Sequence, residues 1–167
     1  MAKVIKIDKI PEYSLILNGI GDIDYCDSYQ IEIITTSSID KITTGIFNVP
    51  EWVKLLLQVR NSIVRLFGLK TGETQIADIA DYYPVGSKAV YFTVSDRNET
   101  EIVMNLIDAH LNFRTSVMLV RKEFSTTISL MTIVKFNNKT GRIYFFLIKP
   151  FHKIIIKSLL KRLILID

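Results

Sequence analysis

Between Val90 and Phe136 apolar residues recur at every second position. Val90, Phe92 and Val94 share one face, and "TEIVMNLI" follows after the turn-like "DRNE". Ala109, Leu111, Phe113, Val117 and Leu119 then line one side, against His110, Asn112, Arg114 and Ser116. Phe124, Ile128, Leu130, Val134 and Phe136 line another. A period of two with short connections predicts long antiparallel strands in a meander. An earlier strand is predicted at "DSYQIEII", where Tyr29, Ile31 and Ile33 oppose Ser28, Gln30 and Glu32.

Elsewhere the period changes to three or four. In "SSIDKITTGIF", Ser37 and Asp40 have capping-box spacing, and Ile39, Ile42 and Ile46 mark a helical face. In "VPEWVKLLLQVRNSIVRLFG", Pro50 and Glu51 suit a helix start. Trp52, Leu55, Leu56, Val59, Ile63, Leu66 and Phe67 form its stripe, and Gly68 its stop. The next stretch is weakly periodic, with a short strand expected around Gln75 to Ile79.

The C-terminal segment predicts one long amphipathic helix. Ile143, Leu147, Phe151, Ile154, Ile155, Leu159, Leu163 and Ile166 read as the core-facing stripe. Lys149, Lys153, Lys157 and Lys161 recur every four residues as a basic face. Pro150 removes a backbone donor and costs ~3 kcal/mol in a helix interior, so a kink or break is expected between Phe146 and Pro150. Strand, two helices, meander and final helix together predict an α+β domain. A curved sheet can wrap around one such helix.

Composition adds limits. A chain of 167 residues, 49% hydrophobic and 23% charged, is sized for a single domain, 1–167, with a sizeable core. The net charge of +4 is unevenly placed. Residues 135–166 carry eight basic residues and no acidic one, leaving the remainder net negative. Cys26 is the single cysteine, so no internal disulfide can form; it reads as a small hydrophobe or a reactive thiol. The first residues lack a signal-peptide pattern. The longest uncharged apolar run of the C-terminal segment, Ile143 to Ile148, is far short of the ~18 residues of a spanning helix. A cytoplasmic protein is expected.

The order of elements, together with "DYCDSYQI", "VPEWVKLLLQVRNSIVRLFGLK", "DAHLNFRTSV" and "VKFNNKTGRIYFFLIKPFHKIIIKSLLKR", resembles the bacterial family of domain of unknown function 2867. The resemblance covers roughly residues 20 to 163. That family resembles the helix-grip superfamily of START lipid-transfer domains, polyketide cyclases and the birch-pollen allergen. The resemblance implies a curved antiparallel sheet gripping the C-terminal helix around a cavity for an apolar ligand, with residues 1–20 as an extension or edge segment. It carries no catalytic residues across.

On the elements that would line such an interior, the candidate ligand residues are Tyr91, Phe92, Phe113, Phe124, Phe146, Phe151 and His152. His110, Asn112 and Arg114 could form an anion patch on an outer strand face. Asp22, Asp24 and Asp27 bunch together but lack the glycine and glutamate of a calcium loop, and read as a solvated acidic turn. No zinc set, phosphate loop or Ser-His-Asp order can be assigned, so neither a metal nor a cofactor is expected. Three functions follow. The first is binding of a small hydrophobic or lipid-like molecule without catalysis. The second is a cyclase- or hydratase-type enzyme using His152 or Tyr91. The third is peripheral contact of the lysine face with anionic membrane. That third use meets an objection, because one apolar face cannot serve both a core and a bilayer. Nucleic acid is not an expected partner, since no base-stacking motif accompanies the charge.

Overall fold

The computed structural model describes residues 2–49, 51–66, 81–89 and 92–165. Among the described residues seven strands form one sheet: β1 Ile5–Ile7, β2 Tyr25–Ile33, β3 Lys88–Ala89, β4 Phe92–Arg97, β5 Glu101–Ile107, β6 Leu111–Arg121 and β7 Thr126–Phe136. Their spatial order is β1-β2-β7-β6-β5-β4-β3, every pair antiparallel. Among the described residues three α-helices accompany the sheet: α1 Ile39–Phe47, α2 Glu51–Leu66 and α3 Lys139–Arg162. An open antiparallel sheet with a long C-terminal helix is an α+β architecture consistent with a helix-grip arrangement. The expected strand at Gln75 to Ile79 lies outside the described residues, as do Val90, Phe67, Gly68 and Ile166.

Strand β7 is buried along nine successive residues. Inward, Ile128 and Leu130 pack with Tyr29, Ile31, Val117 and Leu119 against Ile42 and Ile46 of α1 and Ile156, Leu159 and Leu160 of α3. Outward, Met131 and Ile133 pack with Val103 and Met118 beneath Ile16. Ile16 sits in a short 3₁₀ turn, Leu15–Leu17. Residues 10–20 thus cover the second face, where the alternation alone predicted a polar surface, while Ala2 and Val4 pack with the main core beside the edge strand β1. Buried Glu101 holds this strap: Ser14 Oγ donates to Oε1 at 2.6 Å and the Leu15 amide to Oε2 at 2.8 Å. Arg114 holds the other end, donating to the carbonyls of Ile16 (3.0 Å) and Asn18 (2.7 Å).

Helix α1 differs in its cap. Ser38, not Ser37, accepts the Lys41 amide. Asp40 has another role, because it is buried and takes a bidentate hydrogen bond from Arg97, Nη1 to Oδ1 at 2.8 Å and Nη2 to Oδ2 at 3.0 Å. The Tyr83 amide also donates to Asp40 Oδ1 at 2.9 Å. The clamp joins α1, β4 and the Tyr82–Tyr83 segment. In α2 the buried residue near the start is Val53, whereas Trp52 and Leu55 of the expected stripe are exposed. The side chains of Leu56, Val59, Ile63 and Leu66 lie outside the described residues.

Helix α3 begins at Asn138, whose side chain accepts the Gly141 amide at 3.0 Å. It continues through Pro150 for 24 residues, so the expected break does not occur. Its rotation agrees with the expectation at Ile155, Leu159 and Leu163, which join the main core, and differs over the earlier turns. Gly141, Tyr144, Phe145, Ile156, Leu159 and Leu160 face inward. Ile143, Leu147, Phe151 and Ile154, read as core-facing, are exposed. The seat of Gly141 explains this. A Cβ there would stand 1.9 Å from the His110 carbonyl oxygen, so only glycine lets the helix approach the β5–β6 turn. Apolar residues occupy both sides of this helix, and the periodicity therefore does not choose between them.

Two outcomes are expected. Gly141→Ala should lower stability by about 1–3 kcal/mol, despite alanine's better helix propensity, because backbone must shift. That corresponds to a Tm lower by several degrees, and a Tm equal to or above wild type would contradict the seat. Burial raises the Asp40 pKa, but Arg97 and the Tyr83 amide outweigh it and hold the carboxyl below its usual range. A depressed folded pKa gives stability that is present above the unfolded value, ~3.9, and lost as pH falls through the folded one. Asp40→Asn should therefore cost about 2–3 kcal/mol at pH 7 in chemical denaturation. The variant should also show a shallower stability loss below about pH 4.

Candidate functional site

Alternation on β2 places Tyr25, Asp27, Tyr29 and Ile31 on one side, facing the helices. Tyr29 and Ile31 join the main core, and Tyr25 packs with Phe145 of α3 at 4.7 Å between ring centroids. A carboxylate thus stands where the pattern calls for an apolar residue. Asp27 is 4% exposed. On α3, His152 lies two residues beyond Pro150, on the same inward side as Tyr144 and Phe145. Its Nε2 stands 3.3 Å from Asp27 Oδ2 and 3.5 Å from Oδ1. The Tyr25 hydroxyl donates to Asp27 Oδ2 at 2.6 Å. Thr132 is directly opposite Asp27 on β7, its buried hydroxyl outside hydrogen-bond geometry.

Aromatic rings surround this pair. Phe113 of β6 and Tyr25 meet the imidazole edge-on, at 5.7 and 6.4 Å. Phe145 stands 6.3 Å away, and Phe92 of β4 stacks on Phe113 at 5.8 Å. Tyr25, Phe92, Phe113 and Phe136 are half-buried, so the wall is not sealed. Lys149 folds its ammonium over the Tyr25 ring at 4.7 Å.

The electrostatics favour an ionised Asp27. Burial raises its pKa, but the hydrogen bond and charge of His152, followed by the Tyr25 hydroxyl, outweigh that and hold it below the usual range. Burial, then the hydrogen bond to Asp27, pushes the Tyr25 phenol well above its ordinary value. An ionised carboxylate only accepts, so Nε2 of His152 carries a proton toward it. Nδ1 is left as the nitrogen available to another group. The pair offers two ligands to a metal, and among the described residues no three His, Cys, Asp or Glu side chains converge.

Of the residues singled out from sequence, His152, Phe92 and Phe113 come together here. Phe146 and Phe151 lie on the exposed side of α3, because Gly141 sets the opposite side inward. Phe124 is in the β6–β7 turn, 79% exposed. It borders a separate open groove of about 530 Å³ lined by Ile34, Thr35 and Arg121. Tyr91 lies outside the described residues. Of the basic face, Lys149 and Lys153 are half-buried, and Lys157 lies over the Tyr29 ring at 5.6 Å. Lys161 is exposed.

The anion patch does not form. Arg114 serves the strap, Asn112 accepts from Asn137, and His110 is buried against Tyr144 with Asp108 3.3 Å away. The acidic turn also divides. Asp22 and Asp24 are exposed, but Asp27 is not solvated. Asp27 and Tyr25 escaped sequence reasoning, although Asp27 shares the odd-numbered parity of Tyr29 and Ile31.

Replacing His152 by leucine should raise the Asp27 pKa from its depressed position, since the largest lowering influence is removed while burial remains. The sign of the pH dependence follows. Wild type should gain stability from Asp27 as pH rises through the region below about 4. The His152→Leu variant should show a smaller gain over that region, because its Asp27 pKa lies closer to the unfolded value. Carboxyl-detected NMR titration with matched denaturation curves reads both, and an unchanged Asp27 titration would contradict the pairing.

A family model described as "Protein of unknown function (DUF2867)" matches residues 20–159, from before β2 to the last turn of α3. No curated protein and no solved structure matches the chain. The matched segment includes Tyr25, Asp27, Phe92, Phe113 and His152, and the chain belongs to this family of unknown function.

Proposed function

We propose that the protein binds a small apolar or lipid-like molecule between the sheet and α3, with its one polar group met by His152. The observation that carries this reading is the buried Asp27–His152 pair inside an aromatic wall. A buried polar pair of this kind rarely adds stability over an apolar substitute of similar volume. Half-buried Phe92, Phe113 and Tyr25 supply apolar contact area beside it. Apolar walls with a few convergent polar groups are the usual composition of a ligand site, and a perturbed carboxylate with a specific charge partner strengthens the assignment.

A second reading rests on the same pair. Asp27 orients the imidazole and leaves Nδ1 available, as a general base requires. Cyclase- or hydratase-type chemistry would use it that way.

Native mass spectrometry of the freshly purified protein tests the first reading. Wild type should carry a co-purified small molecule, and His152→Leu and Phe113→Ala should release it. Titration with 1-anilinonaphthalene-8-sulfonate should show binding weakened about tenfold in Phe113→Ala, as expected for loss of one aromatic contact. No adduct together with equal dye binding by all three proteins would overturn the reading. If wild type, but not His152→Leu, chemically alters the identified molecule, the acid–base reading holds.

A further inference from the structure

The side of α3 opposite its core face is also apolar. Ile143, Phe146, Leu147, Pro150, Phe151 and Ile154 recur there at three- and four-residue intervals, all exposed. Phe146 is 76% exposed and Ile154 57%. At 1.5 Å per residue the ridge is about 16 Å long. By helical rotation, Arg142, Lys149, Lys153 and Lys157 fall along one flank of it, and Lys161 continues the ridge line as the apolar residues end. No acidic residue occurs between 135 and 166.

We infer that this ridge seats the protein on the surface of an anionic lipid bilayer, with α3 lying in the interfacial plane. The inference is independent of the ligand reading, because it uses the other face of the helix. Two observations select lipid as the occupant. The first is charge. Lys149 and Lys157 lie over the Tyr25 and Tyr29 rings, but Arg142, Lys153 and Lys161 border the ridge with no acidic residue near them in sequence and complement anionic headgroups, whereas lysine is depleted at protein interfaces. The second is shape. The ridge is a convex helix face with bulky apolar side chains and a basic border, the arrangement that inserts shallowly at the headgroup–acyl boundary. No described helix is long and apolar enough to cross a membrane, and α3 here lies on the surface instead. The core keeps Tyr144, Phe145, Ile156 and Leu159, so docking does not require unfolding.

Flotation with lipid vesicles tests the inference. The full chain should bind vesicles of phosphatidylcholine with about one third phosphatidylserine, and bind phosphatidylcholine alone at least ~10-fold more weakly. Raising salt from about 0.1 M to about 0.5 M should weaken the former. The pair Phe146→Ser and Ile154→Ser should reduce binding ~10-fold or more while leaving Tm unchanged, since both side chains are exposed. Lys153→Glu with Lys161→Glu should reduce binding to anionic vesicles only. Failure to float with anionic vesicles, or binding indifferent to both double variants, would overturn it. So would sedimentation velocity showing a wild-type dimer that Phe146→Ser with Ile154→Ser makes monomeric, if wild type does not float. The ridge would then be a protein–protein face.

Discussion

The carbonyl of His110 occupies the place where a side chain at position 141 would begin, and much else follows from that contact. It brings the first turn of α3 against the β5–β6 turn. It fixes which of two apolar sides enters the core. Tyr144 then stacks edge-on against His110 at 5.0 Å, and Phe145 reaches Tyr25 and Phe136. Seven residues after Phe145, two helical turns on, His152 must also point inward, where it meets Asp27. The same rotation turns Phe146, Phe151 and Ile154 to the outside. The inward pair and the outward ridge are two consequences of one seat.

The sheet needs cover on both faces, and the chain supplies it unequally. Helices α1 and α3 cover one face with large aliphatic side chains. The other receives the short strap around Ile16, which is too small to be held by apolar contact alone. Glu101 and Arg114 make up the difference through hydrogen bonds to its hydroxyl, amide and carbonyl groups. A carboxylate as buried as Glu101 would be costly without such partners. The strap and the sheet therefore depend on each other.

Asp27 and Asp40 illustrate two uses of a buried carboxylate. Asp40 closes a structural clamp with Arg97, a bidentate pair joining three segments. Asp27 faces an imidazole that is itself partly accessible and ringed by half-buried aromatics. Both carboxyls are held below their usual range against the effect of burial, but only Asp27 has a partner whose remaining nitrogen can act as an acceptor, since the Arg97 guanidinium only donates. This difference in partner chemistry makes the Asp27–His152 pair the candidate site.

Period-two alternation was enough to place β2, β5, β6 and β7, because side-chain direction in a strand follows directly from residue parity. The α1, α2 and α3 spans were likewise legible from three- and four-residue spacing, and the α+β class from their order. The sequence also carried the parity that puts Asp27 inward, though the neighbouring Asp22 and Asp24 concealed it. Other features were decided only in three dimensions. The rotation of α3 could not be read, because apolar residues lie on both its sides and a backbone contact 31 residues upstream breaks the tie. Neither could the covering of the outer face, since that required residues 10–20 to fold across strands about a hundred positions away. The meeting of Tyr25, Asp27, Phe92, Phe113 and His152 belongs to the same group. Tyr25 and Asp27 share β2, whereas Phe92, Phe113 and His152 lie on β4, β6 and α3, and periodicity describes an element's own faces, not which faces meet.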